Sequence, residues 1–501
     1  MDRPPRALDD PLRSSTGIAG LDIILRGGLP TGELYLVQGA PGTGKTLLTL
    51  EFLRAGLEAN EKCLLLTLSQ RADSIRQMIT AHGWAMNDLE IYELEAGKSL
   101  ARLSEHQSLF RTGEIELEEL SAELLNVVSQ FEPDRVAFDA ISHMRLLAGS
   151  PLLYRRQLLA LRDYFAMRRM TVMMADNQEL APGDGELQAI AHGTLLLDHQ
   201  VSTFGESRRT IEVRKCRNVP TMSGRHDLVI GTGGITVFPR TDGRPAPEPA
   251  EDRVPLSSGV TALDALLDGG PAAGTSTLLV GPAGSGKSTV AALYACATAD
   301  RGERAAVYLF DESPWTFRAR SEGLGIRIGR HIDDGAVELW DIRPAEVSIG
   351  RLLNSIRDGV RDRGVKTVII DSLSGYLSAR SDPDQLLSRV QELLAFLSEH
   401  GVYTFILLAQ HRQGALGLVE PAQVSFLADA VVLFRTFEHA GSVRYGIAVY
   451  KKRYGPHERT IRELLLGKNG VRIGEPLSEF SGLLSGTAEF LGDRTELLGD
   501  G

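Results

Sequence analysis

The chain has 501 residues, 43% hydrophobic and 24% charged, values close to globular averages that exclude a fibrous or largely disordered polypeptide. That length accommodates two or more ordinary domains, each able to bury its own core. The formal net charge of −11 argues against general nucleic-acid binding, which needs positive charge concentrated against phosphates.

The N-terminal stretch MDRPPRALDDPLRSS is polar and Pro-rich, without the apolar core of a secretory signal. No run approaches the roughly 18 apolar residues of a membrane-spanning helix. The three cysteines, Cys63, Cys216 and Cys296, are widely separated and form no CxxC pair. This pattern disfavours a zinc ribbon or a disulfide framework and suits a reducing cytoplasm. HExxH and GxSxG motifs are missing too, which leaves zinc-hydrolase and serine-hydrolase chemistry without a foothold.

After a tail at 1–13, the first predicted domain spans 14–240. It opens with TGIAGLDIILRGGLPTGELYLVQGAPGTGKT. A linker at 241–253, rich in Pro and charge, separates it from a second predicted domain at 254–487, and an acidic tail follows at 488–501. The second domain opens with SGVTALDALLDGGPAAGTSTLLVGPAGSGKS. Lys45 and Lys287 are 242 residues apart, and the same spacing pairs Gly17 with Gly259, Asp22 with Asp264 and Gly32 with Gly274 without a gap. Such a period means duplication of whole domains.

Apolar runs at 34–38, 63–68, 135–138 and 171–175 read as buried strands of the first domain, with helical stretches between several of them. Runs at 277–280, 305–310, 367–370 and 403–408 repeat the plan. The expected fold class is α/β, two tandem domains, each a mostly parallel sheet flanked by helices, with ligands at the carboxyl ends of the strands.

The segments Gly39–Thr46 and Gly281–Ser288 follow a strand in each half and match the P-loop pattern. Closely spaced glycines (Gly39, Gly42 and Gly44; Gly281, Gly284 and Gly286) let backbone N–H groups converge on phosphate oxygens at the positive end of a helix. Lys45 and Lys287 then neutralise the β- and γ-phosphates, and the hydroxyls of Thr46 and Ser288 ligate Mg²⁺. The expected ligands are therefore ATP and Mg²⁺. Asp139 in RVAFDA and Asp371 in TVIIDSLSG are the candidate Mg²⁺ carboxylates, although either could simply cap a strand.

Hydrolysis needs a further carboxylate to orient or deprotonate water. The second half offers Asp311 and Glu312 in VYLFDESPWTFR; at the same 242-residue spacing the first half has Ser69 and Gln70. The second site is thus expected to turn over ATP, and the first to bind it with weak or no hydrolysis. Either carboxylate of the pair suits the role of base. Late in each half, EVRKCRN and AVYKKRYG place Lys215 with Arg217, and Lys451 with Arg453, on one side of a strand. Such a pair could reach a phosphate held by a neighbouring subunit, or be a solvated basic strand.

These residues together resemble the KaiC family of RecA-like ATPases: both leaders, both P-loops, Asp311–Glu312, IDSLSG at Asp371, both K-x-R elements and GEPLSEFSGLLSG near the end. The resemblance covers roughly 14–487. It implies two tandem RecA-like P-loop NTPase domains, ATPase activity, Ser/Thr autokinase capability in the second domain, a homohexamer with ATP at subunit interfaces, and a KaiB-like signalling partner. Two departures stand out. The family's phosphorylated Ser–Thr pair corresponds here to Ser425 followed by Phe426, leaving one candidate acceptor, and the short acidic tail argues against docking of a KaiA-like partner. A signalling or regulatory switch is therefore expected rather than a timekeeper. The alternatives are a RecA-like DNA-dependent motor, disfavoured by the acidic charge, and a non-catalytic ATP-dependent scaffold, disfavoured by the intact Asp311–Glu312 pair.

Overall fold

The computed structural model describes residues 12–94, 112–148, 150–177, 185–200, 207–240, 254–343, 346–374, 383–409, 427–484 and 488–491. The described residues fall into two compact units, one up to residue 240 and the other from residue 254. Each is built on a nine-stranded sheet.

In the first unit the strands are β1 (Leu34–Gly39), β2 (Cys63–Thr67), β3 (Glu90–Glu93), β4 (Arg135–Asp139), β5 (Thr171–Asn177), β6 (Gly193–Gln200), β7 (Arg208–Cys216), β8 (Arg225–Gly231) and β9 (Gly234–Phe238). They lie in the order β3-β2-β4-β5-β1-β6-β7-β8-β9. The second unit has β10 (Ser276–Gly281), β11 (Arg304–Leu309), β12 (Val337–Asp341), β13 (Val365–Asp371), β14 (Tyr403–Ala409), β15 (Ala430–His439), β16 (Ser442–Lys452), β17 (Arg462–Gly467) and β18 (Gly470–Pro476). Their order, β12-β11-β13-β14-β10-β15-β16-β17-β18, repeats the first strand for strand.

The strands from β3 through β6 pair in parallel, and β7, β8 and β9 extend the sheet antiparallel. The eight apolar runs of the sequence are the parallel centre of the two sheets. The strand settings read for EVRKCRN and AVYKKRYG are the ends of β7 and β16, while the rest of the antiparallel extension is not legible in the sequence, because its strands mix charged and apolar residues.

Both faces of each sheet are covered, which explains the uninterrupted apolar strands. Tyr35 and Val37 face a layer containing Leu48 and Phe52 of helix α1 (Lys45–Glu58). Leu34 and Leu36 face the opposite layer with Leu124, Leu158 and Phe165. In the second unit Leu279 packs with Ala291 and Tyr294 of helix α2 (Lys287–Asp300), and Leu278 and Val280 with Leu353 and Leu393. The repeat spacing of 242 holds through β11 and helix α3 (Pro314–Gly323). From Asp139 and Asp371 through β5 and β14 it is 232, so the second unit reaches β13 by a shorter path, and at Lys215 and Lys451 it is 236.

Candidate nucleotide site

Each P-loop leaves the carboxyl end of the central strand and turns directly into a helix. The turn needs Gly44 and Gly286, whose φ values of 107° and 97° lie in the left-handed region that side chains disfavour. A Cβ on Gly286 would also come within 3.0 Å of Leu464 and Leu466. The lysines are drawn into the loops: Lys45 Nζ donates to the Gly39 and Ala40 carbonyls at 2.8 and 3.0 Å, and Lys287 Nζ to those of Gly281 and Pro282 at 2.8 and 2.7 Å. Burial lowers both ammonium pKa values, that of Lys287 to about 8, while Asp371 and Asp311 hold it up.

The strand-end aspartates reach the P-loop hydroxyls in both units. Thr46 Oγ1 donates to Asp139 Oδ2 at 2.7 Å, and Ser288 donates to Asp371. Burial raises both carboxyls; that of Asp371 is pushed up to about 6, with the Ser288 bond opposing the shift and the nearby Glu312 charge adding to it. Asp371 Oδ2 is buried and makes no hydrogen bond among the described residues. An acceptor oxygen so placed beside a serine hydroxyl suits an octahedral cation completed by phosphates and water. The donors are a hydroxyl and a carboxylate oxygen, the hard ligands that fit Mg²⁺.

The two sites diverge around this shared core. In the second unit a cleft of about 360 Å³ is lined by the P-loop, Asp311, Glu312, Arg320, Asp371 and Ser372. Ser372 Oγ donates to Asp311 Oδ2. Arg320 Nη2 donates to Glu312 Oε1 at 2.6 Å, Nε to Glu312 Oε2 at 3.4 Å, and Nη1 to Thr289 Oγ1 at 3.1 Å. In the first unit the corresponding residues are Ser69, Gln70, Met78 and Ala140. There Gln70 Nε2 approaches Thr46 Oγ1 at 3.5 Å and Ser69 Oγ the Asp139 carbonyl at 3.4 Å. Four polar positions of one site have thus lost their charge, or their polarity altogether, in the other.

The K-x-R elements lie at the opposite end of each sheet from the P-loop of the same unit. Lys215 Nζ donates to the Gln188 and Ala191 carbonyls, both at 2.8 Å, and Arg217 Nη2 to that of Ala189 at 2.9 Å, near the start of β6. Lys451 Nζ donates to the Ala428 carbonyl at 3.2 Å, and Arg453 lies 4.0 Å from Asp429. In these positions they cannot serve the nucleotide of their own unit. Ser425 lies outside the described residues.

Sequence reasoning overlooked Arg320 and Ser372. It also missed a buried polar group in the first unit, where Gln38 donates to Asp176 at 3.3 Å and accepts from Gln188 at 2.7 Å, and Arg145 lies 3.4 Å from Asp176. In the second unit Val280 and Leu408 occupy the positions of Gln38 and Asp176.

Fold and site together define a tandem RecA-like P-loop ATPase. The family model described as ATPase: KaiC matches residues 14–242 and 256–478, and the chain belongs to that family. It is similar to the Circadian clock protein KaiC2 of Synechocystis sp., with 27% identity over 95% of this chain and 84% of the relative. It is also similar to the Circadian clock oscillator proteins KaiC of Acaryochloris marina (24% identity; 94% of this chain, 90% of the relative) and Thermostichus vulcanus (25%; 96% and 93%). No helix among the described residues is long and apolar enough to cross a membrane.

Proposed function

We propose that the second unit hydrolyses Mg-ATP while the first holds it with little turnover, and that the chain works as a regulatory switch in a homohexamer. The observation that carries this reading is the concerted change around one site: Asp311, Glu312, Arg320 and Ser372 correspond to Ser69, Gln70, Met78 and Ala140, while P-loop, lysine and strand-end aspartate are kept. A bound Mg²⁺, held by Ser288 and Asp371, would neutralise charge on the β- and γ-phosphates. Lys287 binds the same phosphates, and a carboxylate of the Asp311–Glu312 pair orients the attacking water. Lys215 with Arg217, and Lys451 with Arg453, act on nucleotide held by a neighbouring subunit, in keeping with their distance from their own P-loops. The switch acts on a signalling partner, KaiB-like by family analogy.

Autophosphorylation at Ser425 belongs to the same reading and rests on the family resemblance alone. One set of incubations with Mg-ATP tests the scheme. Lys287→Ala is expected to abolish most ADP release, whereas Lys45→Ala retains it but shows a smaller particle by light scattering. Loss of turnover in Lys45→Ala with the oligomer intact would overturn the division of labour. Intact mass on the same samples reads the kinase arm: an unmodified chain after complete ATP turnover removes Ser425 from the scheme.

A further inference from the structure

We propose that Arg320 is the positioning residue that fixes Glu312 as the water-orienting carboxylate of the second site. This rests on the reading of that site as the hydrolytic one. Glu312 follows a strand end and has three side-chain torsions to restrain before it can hold water in one place. Arg320 supplies the restraint from α3. Its fork takes both carboxylate oxygens, at 2.6 and 3.4 Å, the geometry in which arginine fixes a carboxylate's plane as well as its position. The remaining Nη1 reaches Thr289 Oγ1, one residue beyond the Mg²⁺ hydroxyl of Ser288, so Glu312 is registered against the P-loop helix itself. The guanidinium carbon lies 5.2 Å from the ring centroid of Phe317, which is fully buried and closes off one side. Arg320 and Glu312 line the same cleft as the P-loop.

The first unit supplies the contrast. Glu312, Arg320 and Thr289 correspond to Gln70, Met78 and Leu47, so carboxylate, clamp and anchor are replaced as a set. Met78 and Leu47 instead join an apolar cluster. A second arginine on α3 behaves differently. Arg318 pairs with Asp333 and Glu322 at the surface, away from the cleft, and its counterpart Arg76 is still arginine. The arginine that disappears together with the carboxylate is the one that holds it.

The test measures steady-state ATP turnover by the full chain carrying Arg320→Met, Arg320→Lys, Glu312→Gln, Glu312→Gln/Arg320→Met, Arg318→Met or Lys287→Ala. Arg320→Met is expected to lower kcat by about 10- to 100-fold with KM for ATP changed less than about twofold, the signature of an interaction used in the chemical step. Arg320→Lys recovers part of kcat, and Arg318→Met keeps it. The double variant is no slower than Glu312→Gln, because a clamp without its carboxylate has nothing to position. Unchanged kcat in Arg320→Met overturns the proposal. So does a loss expressed mainly as raised KM, which would mean direct phosphate contact, or a loss that multiplies onto that of Glu312→Gln. Lys287→Ala separates the two levels: persistent turnover there refutes the second site as the hydrolytic one, whereas its loss there with normal Arg320→Met refutes only the clamp.

Discussion

Asp371 offers a stringent test, because the structure makes it costly in the absence of ligand. It is 8% exposed, its Oδ2 is without a hydrogen bond among the described residues, and burial moves its carboxyl from 3.8 to about 6. At about 1.4 kcal/mol for each tenfold change in proton affinity, ionised Asp371 costs the nucleotide-free fold up to about 3 kcal/mol. Asp371→Asn removes the charge and can still accept from Ser288. It adds a buried amide donor, whose incomplete pairing returns about 1 kcal/mol of that gain. The expected result at pH 7 without nucleotide is a variant more stable than its parent by about 1–2 kcal/mol. The pH dependence follows in sign. Since the folded pKa exceeds the unfolded one, the penalty is fully present above about 6 and fades as pH falls toward 3.8, so the variant's advantage should shrink by pH 4. Carboxylates far from Asp371 cancel in the difference. Urea unfolding followed by tryptophan fluorescence suits the measurement: of the three tryptophans, Trp315 and Trp340 belong to the second unit, and Trp84→Phe silences the first. Saturating Mg-ATP should reverse the ranking, since only the parent retains the metal carboxylate. A variant less stable than its parent at pH 7, or an advantage that ignores pH, would refute the reasoning.

Two further outcomes are expected. Burial pushes the Cys63 and Cys296 thiols up to about 12 and that of Cys216 to about 11, so iodoacetamide at pH 8 should label native protein at least about 100-fold more slowly than urea-unfolded protein; comparable rates would contradict the burial. In a Lys287→Ala background, the set Ser69→Asp, Gln70→Glu, Met78→Arg and Ala140→Ser should restore measurable ADP release to the first unit, whereas Gln70→Glu alone should not. Equal rescue by the single and the quadruple variant would show that the surrounding residues are not needed.

What could be read from the sequence was what chemistry ties to fixed spacing. Backbone wrapped around phosphate requires glycines and a lysine at set intervals, so both P-loops stood out, and their common spacing exposed the duplication. Buried parallel strands announced themselves as unbroken apolar runs. Edge and antiparallel strands did not: Glu90–Glu93 is EIYE, half-exposed, and resembles any surface segment. The clamp was hidden for another reason. Arg318 and Arg320 are equally charged members of one helix, and only the folded course of α3 directs one to Glu312 and the other to Asp333. The Gln38–Asp176 pair was hidden by separation: 138 residues divide partners that meet on adjacent strands.

The asymmetry has an energetic consequence that runs opposite to the idea of a degenerate first site. A ligand bound only to the folded form stabilises it by about 4 kcal/mol at a thousand times its dissociation constant. A hydrolysing site gives up that contribution at every turnover, as ATP becomes ADP and leaves. On the proposed reading, a site with Lys45, Thr46 and Asp139 in place but Ser69 and Gln70 where the carboxylates would stand keeps it continuously. Under the proposed division of labour, the missing carboxylates would give the first unit a standing source of cohesion while the second is free to cycle. The replacements fit that proposal in kind: Met78 and Leu47 add apolar packing where Arg320 and Thr289 hold the Glu312 carboxylate in place in the second unit.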